Sequence, residues 1–350
     1  MDLENPTPDF EEVLRALLAE ESPFPPRLLY HLGDLSPEDA ARLREIWHQV
    51  PLERRRTLME DLENITENDL TASFKDLGII ALEDPDPAVR FGAVRVLWVE
   101  DDNNLIPRFL EIARNDPDPR VRANAVGALG GYMLLASLEE LPWRYTNDIE
   151  TTLMGFLKDP NEDELVRRQA LETLGYSLNL DMAPWIEEAF ASPDEDWQAS
   201  ALFAAGRSGR ERWGDHVMDY LHSASPRLRA EAARTAGELM HKPAAERLLE
   251  LLEDRDANVR VMAAWALSEI GGGDPVAEAL EKALENATDE DEMIALEEAL
   301  DNLALTDEMG DLLMMDFGKK DWDDLLNDDE ALSEFLEMFG GDDMFGDDEE

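Results

Sequence analysis

The chain has no cysteine, only five histidines, and 31 lysines and arginines against 82 aspartates and glutamates. Without cysteine there are no disulfides, no thiol catalysis and no cysteine-ligated zinc. A formal net charge of −51 repels polyanions, so neither nucleic acid nor an anionic membrane surface is expected as a partner, and a protein or peptide with a basic surface is. No stretch approaches the roughly 18 consecutive apolar residues that a membrane-spanning helix needs. Residues Met1 to Glu20 are acidic and lack the basic-then-apolar order of a secretion signal. The default expectation is a soluble cytoplasmic protein.

At 350 residues and 44% hydrophobic content the chain would ordinarily divide into two globular domains. A repeated phrase removes that inference. Asp84-Pro85-Asp86-Pro87-Ala88-Val89-Arg90 recurs as Asp116-Pro117-Asp118-Pro119-Arg120-Val121-Arg122 and, eroded, as Asp254-Arg255-Asp256-Ala257-Asn258-Val259-Arg260. Anchored on the hydrophobic residue before the arginine, the copies fall at Val89, Val121, Val166, Trp197, Leu228 and Val259, with steps of 32, 45, 31, 31 and 31 residues. A period near 31 predicts a stacked array in which each unit packs on its neighbours.

Each phrase reads as a turn that ends one helix and caps the next: proline cannot sit inside a helix, and aspartate accepts hydrogen bonds from the free amides of a helix start. Apolar residues at helical spacing follow it, with Ala93, Ala125, Ala170, Ala201, Ala232 and Ala263 always four residues after the anchor, small enough for close helix approach. The preceding helices are predicted near 74–82, 104–114, 147–158, 182–191, 213–222, 243–253 and 275–286, the last pairing with 290–304. The expected fold is all-α, an α-solenoid of about seven antiparallel helix pairs. Its parts are a helical cap over residues 1–70, an array over 71–305 and an acidic tail over 306–350.

These features resemble HEAT repeats of the short kind named after phycobilin lyases: Val-Arg, alanine at the next turn, then Leu129-Gly130, Leu174-Gly175, Ala205-Gly206 or Ala236-Gly237. The resemblance implies that the second helix of each pair lines a concave face. It also implies an Asp–Arg ladder, here of Asp84 with Arg90, Asp116 with Arg122, and Asp254 with Arg260, Arg167 and Arg229 holding the same position. Gln198 replaces the arginine and Ser223 the aspartate, which predicts a weaker contact around the fourth repeat. The 45-residue step marks an insertion near 132–147, expected to project from one edge.

Catalytic patterns are sparse. HEAT-repeat deoxyhypusine hydroxylases bind iron through His-Glu dipeptides, but the five histidines here precede Leu32, Gln49, Val217, Ser223 and Lys242. Asp215, Asp219 and His222 share one helix, which alone cannot close a metal site. Gly206-Arg207-Ser208-Gly209-Arg210 reads as a helix end and turn, Gly271-Gly272-Gly273 as a connector, and Arg54-Arg55-Arg56 as a solvated helix face. No catalytic residue, metal or cofactor is expected. The rival readings are a lyase-like tetrapyrrole binder, a metal enzyme around His216 and His222, and an acidic-tail inhibitor or chaperone of a basic protein.

Comparing the copies points to a binding face. The third, sixth and tenth positions after the anchor vary freely and are expected to face outward on the concave side. They hold Arg95 and a file of Tyr176, Phe203, Arg207, Arg234 and Trp265, the residue types that anchor interfaces. Packing of Phe203 and Trp265 between repeats is the competing reading. In residues 307–350, 18 acids stand against Lys319 and Lys320, a net −16. There Leu332, Phe335, Leu336 and Phe339 follow amphipathic spacing and form a second candidate contact. The expected function is a non-enzymatic protein-interaction scaffold; the partner's identity and the oligomeric state stay open.

Overall fold

A computed structural model describes residues 10–314 apart from residues 21 and 70; Leu332, Phe335, Leu336 and Phe339 lie outside the described residues. The helices are α1 Phe10–Leu18, α2 Pro37–Ile46, α3 Leu52–Asn68, α4 Lys75–Ala81, α5 Pro87–Leu97, α6 Ile106–Asn115, α7 Pro119–Ser137, α8 Trp143–Lys158, α9 Glu164–Leu174, α10 Ala183–Phe190, α11 Glu195–Arg207, α12 Gly214–Tyr220, α13 Pro226–Glu238, α14 Ala245–Leu251, α15 Ala257–Ile270, α16 Asp274–Asn286 and α17 Glu290–Met314. No described residue lies in a strand, so the molecule is an all-α solenoid in which α4–α5 through α16–α17 are successive antiparallel pairs. No described helix is long and apolar enough to cross a membrane.

The phrase builds the turns as its residue types require. The Asp86 carboxylate accepts from the amides of Ala88 and Val89, Asp118 from Arg120, and Asp256 from Asn258 and Val259, each starting the helix that follows. All six alanines of the recurrent row are fully buried. With no bulk beyond Cβ they let second helices pack directly on one another: α5 on α7, α7 on α9, and so on to α15 on α17. Consecutive first helices barely touch. The more closely packed layer is the inner side of a curved stack, so the second helices line the concave face.

One apolar cluster runs without a break from Val13 to Leu303. The N-terminal helices belong to it, with α3 packed on α5 as each later second helix packs on the next.

Where its rungs are present, the ladder joins one repeat to the next and not, as the resemblance implies, the Asp and Arg of one copy. Arg90 donates Nε and Nη2 to the Asp116 carboxylate at 2.6 and 2.8 Å, and Nη1 back to the Asp84 carbonyl at 2.8 Å. Arg122 donates to Glu162 at 2.7 Å and to the Asp116 carbonyl. Arg229 holds Asp254 twice at 2.8 Å, and Arg260 holds Glu292 twice at 2.5 Å. The reason is geometric: within a copy the arginine has already turned into the helix and meets the carbonyl end of its own turn, leaving its outer nitrogens for the next repeat.

The ladder also reaches into the N-terminal helices, where Arg55 and the Trp47 indole N–H both donate to Asp84. The solvated face expected for Arg54-Arg55-Arg56 is therefore wrong. Arg55 is buried, Arg54 donates to the carbonyls of Ala16, Leu17 and Ser22, and Arg56 holds Asp86.

The insertion is helical. It lengthens α7 to Ser137 and starts α8 at Trp143, leaving Leu134, Leu138 and Trp143 exposed. Tyr132 pins it from below, its hydroxyl donating to the Asp102 carbonyl at 3.0 Å and lying 3.3 Å from that of Glu100.

Candidate protein-binding face

The concave face is built mainly from the sixth and tenth positions of the second helices; the third is buried in the seam at Gly92, Asn124 and Ser200 and half-buried at Gln169, Glu231 and Met262. A Cβ on Gly92 would lie 2.5 Å from the Met59 Cβ. Buried Asn124 donates to the Phe91 carbonyl, and buried Ser200 donates to the Glu172 carboxylate at 2.6 Å. The expectation that all three positions face outward fails here because adjacent second helices approach so closely that the third row lies in the seam between them.

Four of the five residues of the predicted file meet. The Arg207 guanidinium lies 4.8 Å from the Tyr176 ring centroid and 4.0 Å from that of Phe203, and Arg234 lies 3.9 Å from the same Phe203 ring. A guanidinium so placed is attracted by the negative face of the ring and shields it from water. Glu231 and Glu238 hold Arg234. Arg207 donates to the Glu172 carbonyl at 3.2 Å and forms no ion pair with a described carboxylate. Burial pushes Arg207 below the ordinary arginine value.

Beneath the stack, burial pushes the Glu172 carboxyl up, against the opposing hydrogen bond from Ser200. Trp265 stands apart: its Cζ3 is 2.7 Å from where a Cβ on Gly237 would lie, so it packs across the seam onto the preceding repeat. This is the competing reading realised for Trp265, while Phe203 sits in the stack between Arg207 of its own helix and Arg234 of the next repeat.

Arg95 belongs to a second group, paired with Glu63 at 2.7 Å and Glu67 at 3.2 Å and stacked 5.0 Å from the Trp98 ring centroid. Trp98 escaped the sequence reading because it falls one residue short of the tenth position. Between the two groups α7 carries glycine at its sixth and tenth positions: Gly127 is buried beneath the edge of Trp98 and beside Gln169, and Gly131 is exposed with nothing within 4 Å of where a Cβ would lie. The result is a small open step of backbone at Gly131, next to Gly130, on which a Cβ would lie 3.6 Å from the Arg207 guanidinium.

The histidine-based readings meet packing. His216 stacks on Phe190 at 4.5 Å and meets the edge of Trp213 at 5.8 Å. Among the described residues no group of three or more His, Asp or Glu is arranged to hold a metal ion.

A family model described as HEAT repeats matches residues 75–147, 106–206 and 214–301. No curated protein matches the sequence. Among solved structures, the CpcE–CpcF complex of phycocyanin lyase from Nostoc sp. PCC7120 is 21% identical with a TM-score of 0.45, covering 65% of this chain and 94% of that one. The Escherichia coli protein YibA is 17% identical, TM-score 0.41, covering 82% and 98%. Human deoxyhypusine hydroxylase is 17% identical, TM-score 0.34, covering 85% and 97%.

Proposed function

The chain belongs to the HEAT-repeat family, and from that premise we propose that it is a non-enzymatic scaffold that grips a protein or peptide along its concave face. The observation that carries this reading is the file Tyr176–Arg207–Phe203–Arg234 near the open backbone of Gly131. Stacked arginine and aromatic groups offer large, stiff contact surfaces at low entropic cost. The open space at Gly131 leaves room for a partner side chain to reach the backbone there. The net charge of −51 favours a partner with a basic surface and speeds its encounter.

Site-specific photo-crosslinking tests the reading. A photoreactive phenylalanine analogue at Gly131 should capture a partner in the source cell, and Phe203→Ala with Arg207→Gln should abolish the capture while the fold persists by circular dichroism. Crosslinks only from the outer layer, for instance from Glu187, would overturn it. Metal analysis and an absorption scan of fresh protein address the metal and tetrapyrrole alternatives, and bound iron, zinc or a visible chromophore would displace the scaffold reading. The net −16 of residues 307–350 supports a further role in attracting basic proteins, whose signature is capture that weakens steeply with salt.

A further inference from the structure

The aspartate that opens each phrase does two jobs. One oxygen accepts from the amide two residues on: Asp84 from Asp86, Asp116 from Asp118, Asp254 from Asp256. The carboxylate also receives the arginine of the preceding repeat. Ser192 and Ser223 stand in the same register and keep the first job, accepting from Asp194 and Ser225 at 3.1 and 3.2 Å. A hydroxyl cannot do the second.

At Ser223 the loss is matched, because the residue that would reach it is Gln198, whose amide settles on the Ser192 carbonyl at 2.8 Å. At Ser192 it is unmatched: Arg167 is still there. Its guanidinium lies 5.3 Å from the Trp197 ring centroid, and its Nε is buried with no hydrogen-bond partner. Arg55 and Arg122 also bury an unpartnered Nε, but each has a carboxylate on another nitrogen. Among the described residues Arg167 has none. It borders a cleft lined by Leu157, Trp185, Ser192 and Trp197, with exposed Glu188 on the rim forming no ion pair with it.

We propose that this cleft is a carboxylate-binding site, in which an aspartate or glutamate side chain of an acidic polypeptide segment completes the rung that Ser192 leaves open. A planar carboxylate fits the guanidinium fork as Asp116 fits Arg90, and the two tryptophans bound it with flat apolar walls. The occupant is this chain's own residues 315–350. A separate acidic protein is repelled by the net charge, whereas a tethered segment is present at an effective concentration near millimolar. Stacked helices lie roughly 10 Å apart, so three repeats separate α17 from the cleft by roughly 30 Å, and 36 residues can span about 120 Å.

The test follows the Arg167 Nε–H signal by nitrogen-15 NMR in the full-length protein, assigned by its loss in Arg167→Gln. Ser192→Asp supplies a carboxylate in place and should slow exchange of that proton about tenfold, as a charge-assisted hydrogen bond does. The expected result is similar protection in the wild type at low salt, lost as salt is raised, which identifies the chain's own acids. Protection that appears only on adding a hexaglutamate peptide supports the site and assigns it to a separate acidic chain. An unprotected proton under both conditions, with Ser192→Asp protecting it, overturns the proposal and leaves Arg167 to its stack on Trp197. Failure of Ser192→Asp to protect it overturns the register argument itself.

Discussion

Arg90 and Asp116, 26 residues apart, form a nearly buried two-pronged pair at 2.6 and 2.8 Å that bolts the first repeat to the second. Burying the pair costs solvation, so its net worth is modest, but removing one partner strands the other charge and costs about 3 kcal/mol. Arg90→Gln and Asp116→Ala should each lower the urea midpoint accordingly. Asp116→Ser keeps the turn bond to the Asp118 amide and should recover about 1 kcal/mol relative to alanine. Equal losses for serine and alanine would show that the two jobs of this aspartate are not separable.

Glycines on the second helices or at their C-terminal caps split into two classes with opposite expected signs. A Cβ on Gly175 would lie 2.8 Å from the Ala204 carbonyl oxygen, and one on Gly237 3.0 Å from the Ala266 Cα besides the Trp265 contact. Backbone cannot yield cheaply, so Gly175→Ala and Gly237→Ala should each destabilise by about 1–3 kcal/mol. Gly131 faces open space inside a helix, and Gly131→Ala should stabilise by about 0.5–1 kcal/mol through reduced unfolded-chain entropy. Thermal melting of the three variants measures this, and a destabilising Gly131→Ala would mean that the space at Gly131 is narrower than described.

What was legible in the sequence follows the range of each interaction. The turns were, because Asp86 caps a helix two and three residues away and repeats do so in register. The alanine row was, because a period of 31 singles out positions that never change. The Arg55 rung was not: Gln49 and Pro51 stand where Asp84 and Asp86 do later, so the N-terminal helices carry no trace of the phrase, and the contact closes 29 residues away. Gly92, Asn124 and Ser200 of the third-position row are buried, against the expectation, for a related reason. Helical periodicity sorts residues onto faces, but whether a face is open or lies in a seam depends on the distance to the next helix. That distance shows only once Gly92 is seen against Met59.

Tyr132 should be a late-titrating phenol. Burial, with Asp102 and Asp101 nearby, pushes it up to about 12. Because the folded pKa lies above the unfolded value, the stability it contributes is complete below about pH 10 and is lost as pH rises through about 12. Ultraviolet titration should find one tyrosine ionising last, absent in Tyr132→Phe. That variant should lose about 1 kcal/mol with its hydroxyl hydrogen bond and free the base of the inserted helices to earlier amide exchange.

Glu172 gives the concave face a pH dependence of the same sign. Its carboxyl is raised by burial, so its contribution to stability is fully present below the ordinary glutamate range and is lost as pH rises through the higher folded value. Glu172→Gln, a neutral isostere that still accepts from Ser200, should therefore melt higher than the wild type at neutral pH. The difference should shrink as the solution is acidified toward the ordinary glutamate value. A constant difference across that range would mean that Glu172 stays ionised, held by Arg207 and Arg168 more strongly than burial opposes it.

The Gln198–Ser223 position is a rung absent on both sides, which makes it the cleanest place to ask what a rung contributes. Gln198→Arg alone should gain little, since it meets a hydroxyl, and Ser223→Asp alone should lose slightly by placing an unpaired carboxylate in a half-buried turn. Together they recreate the arrangement of Arg229 with Asp254, whose two bonds measure 2.8 Å. The double variant should therefore exceed the sum of the singles by about 0.5–3 kcal/mol, the range for residues in direct contact. Hydrogen exchange should place the gain in the amides of α11 and α13. Strict additivity would mean that the alanine seam alone holds the fourth and fifth repeats together and that the ladder serves to set their register.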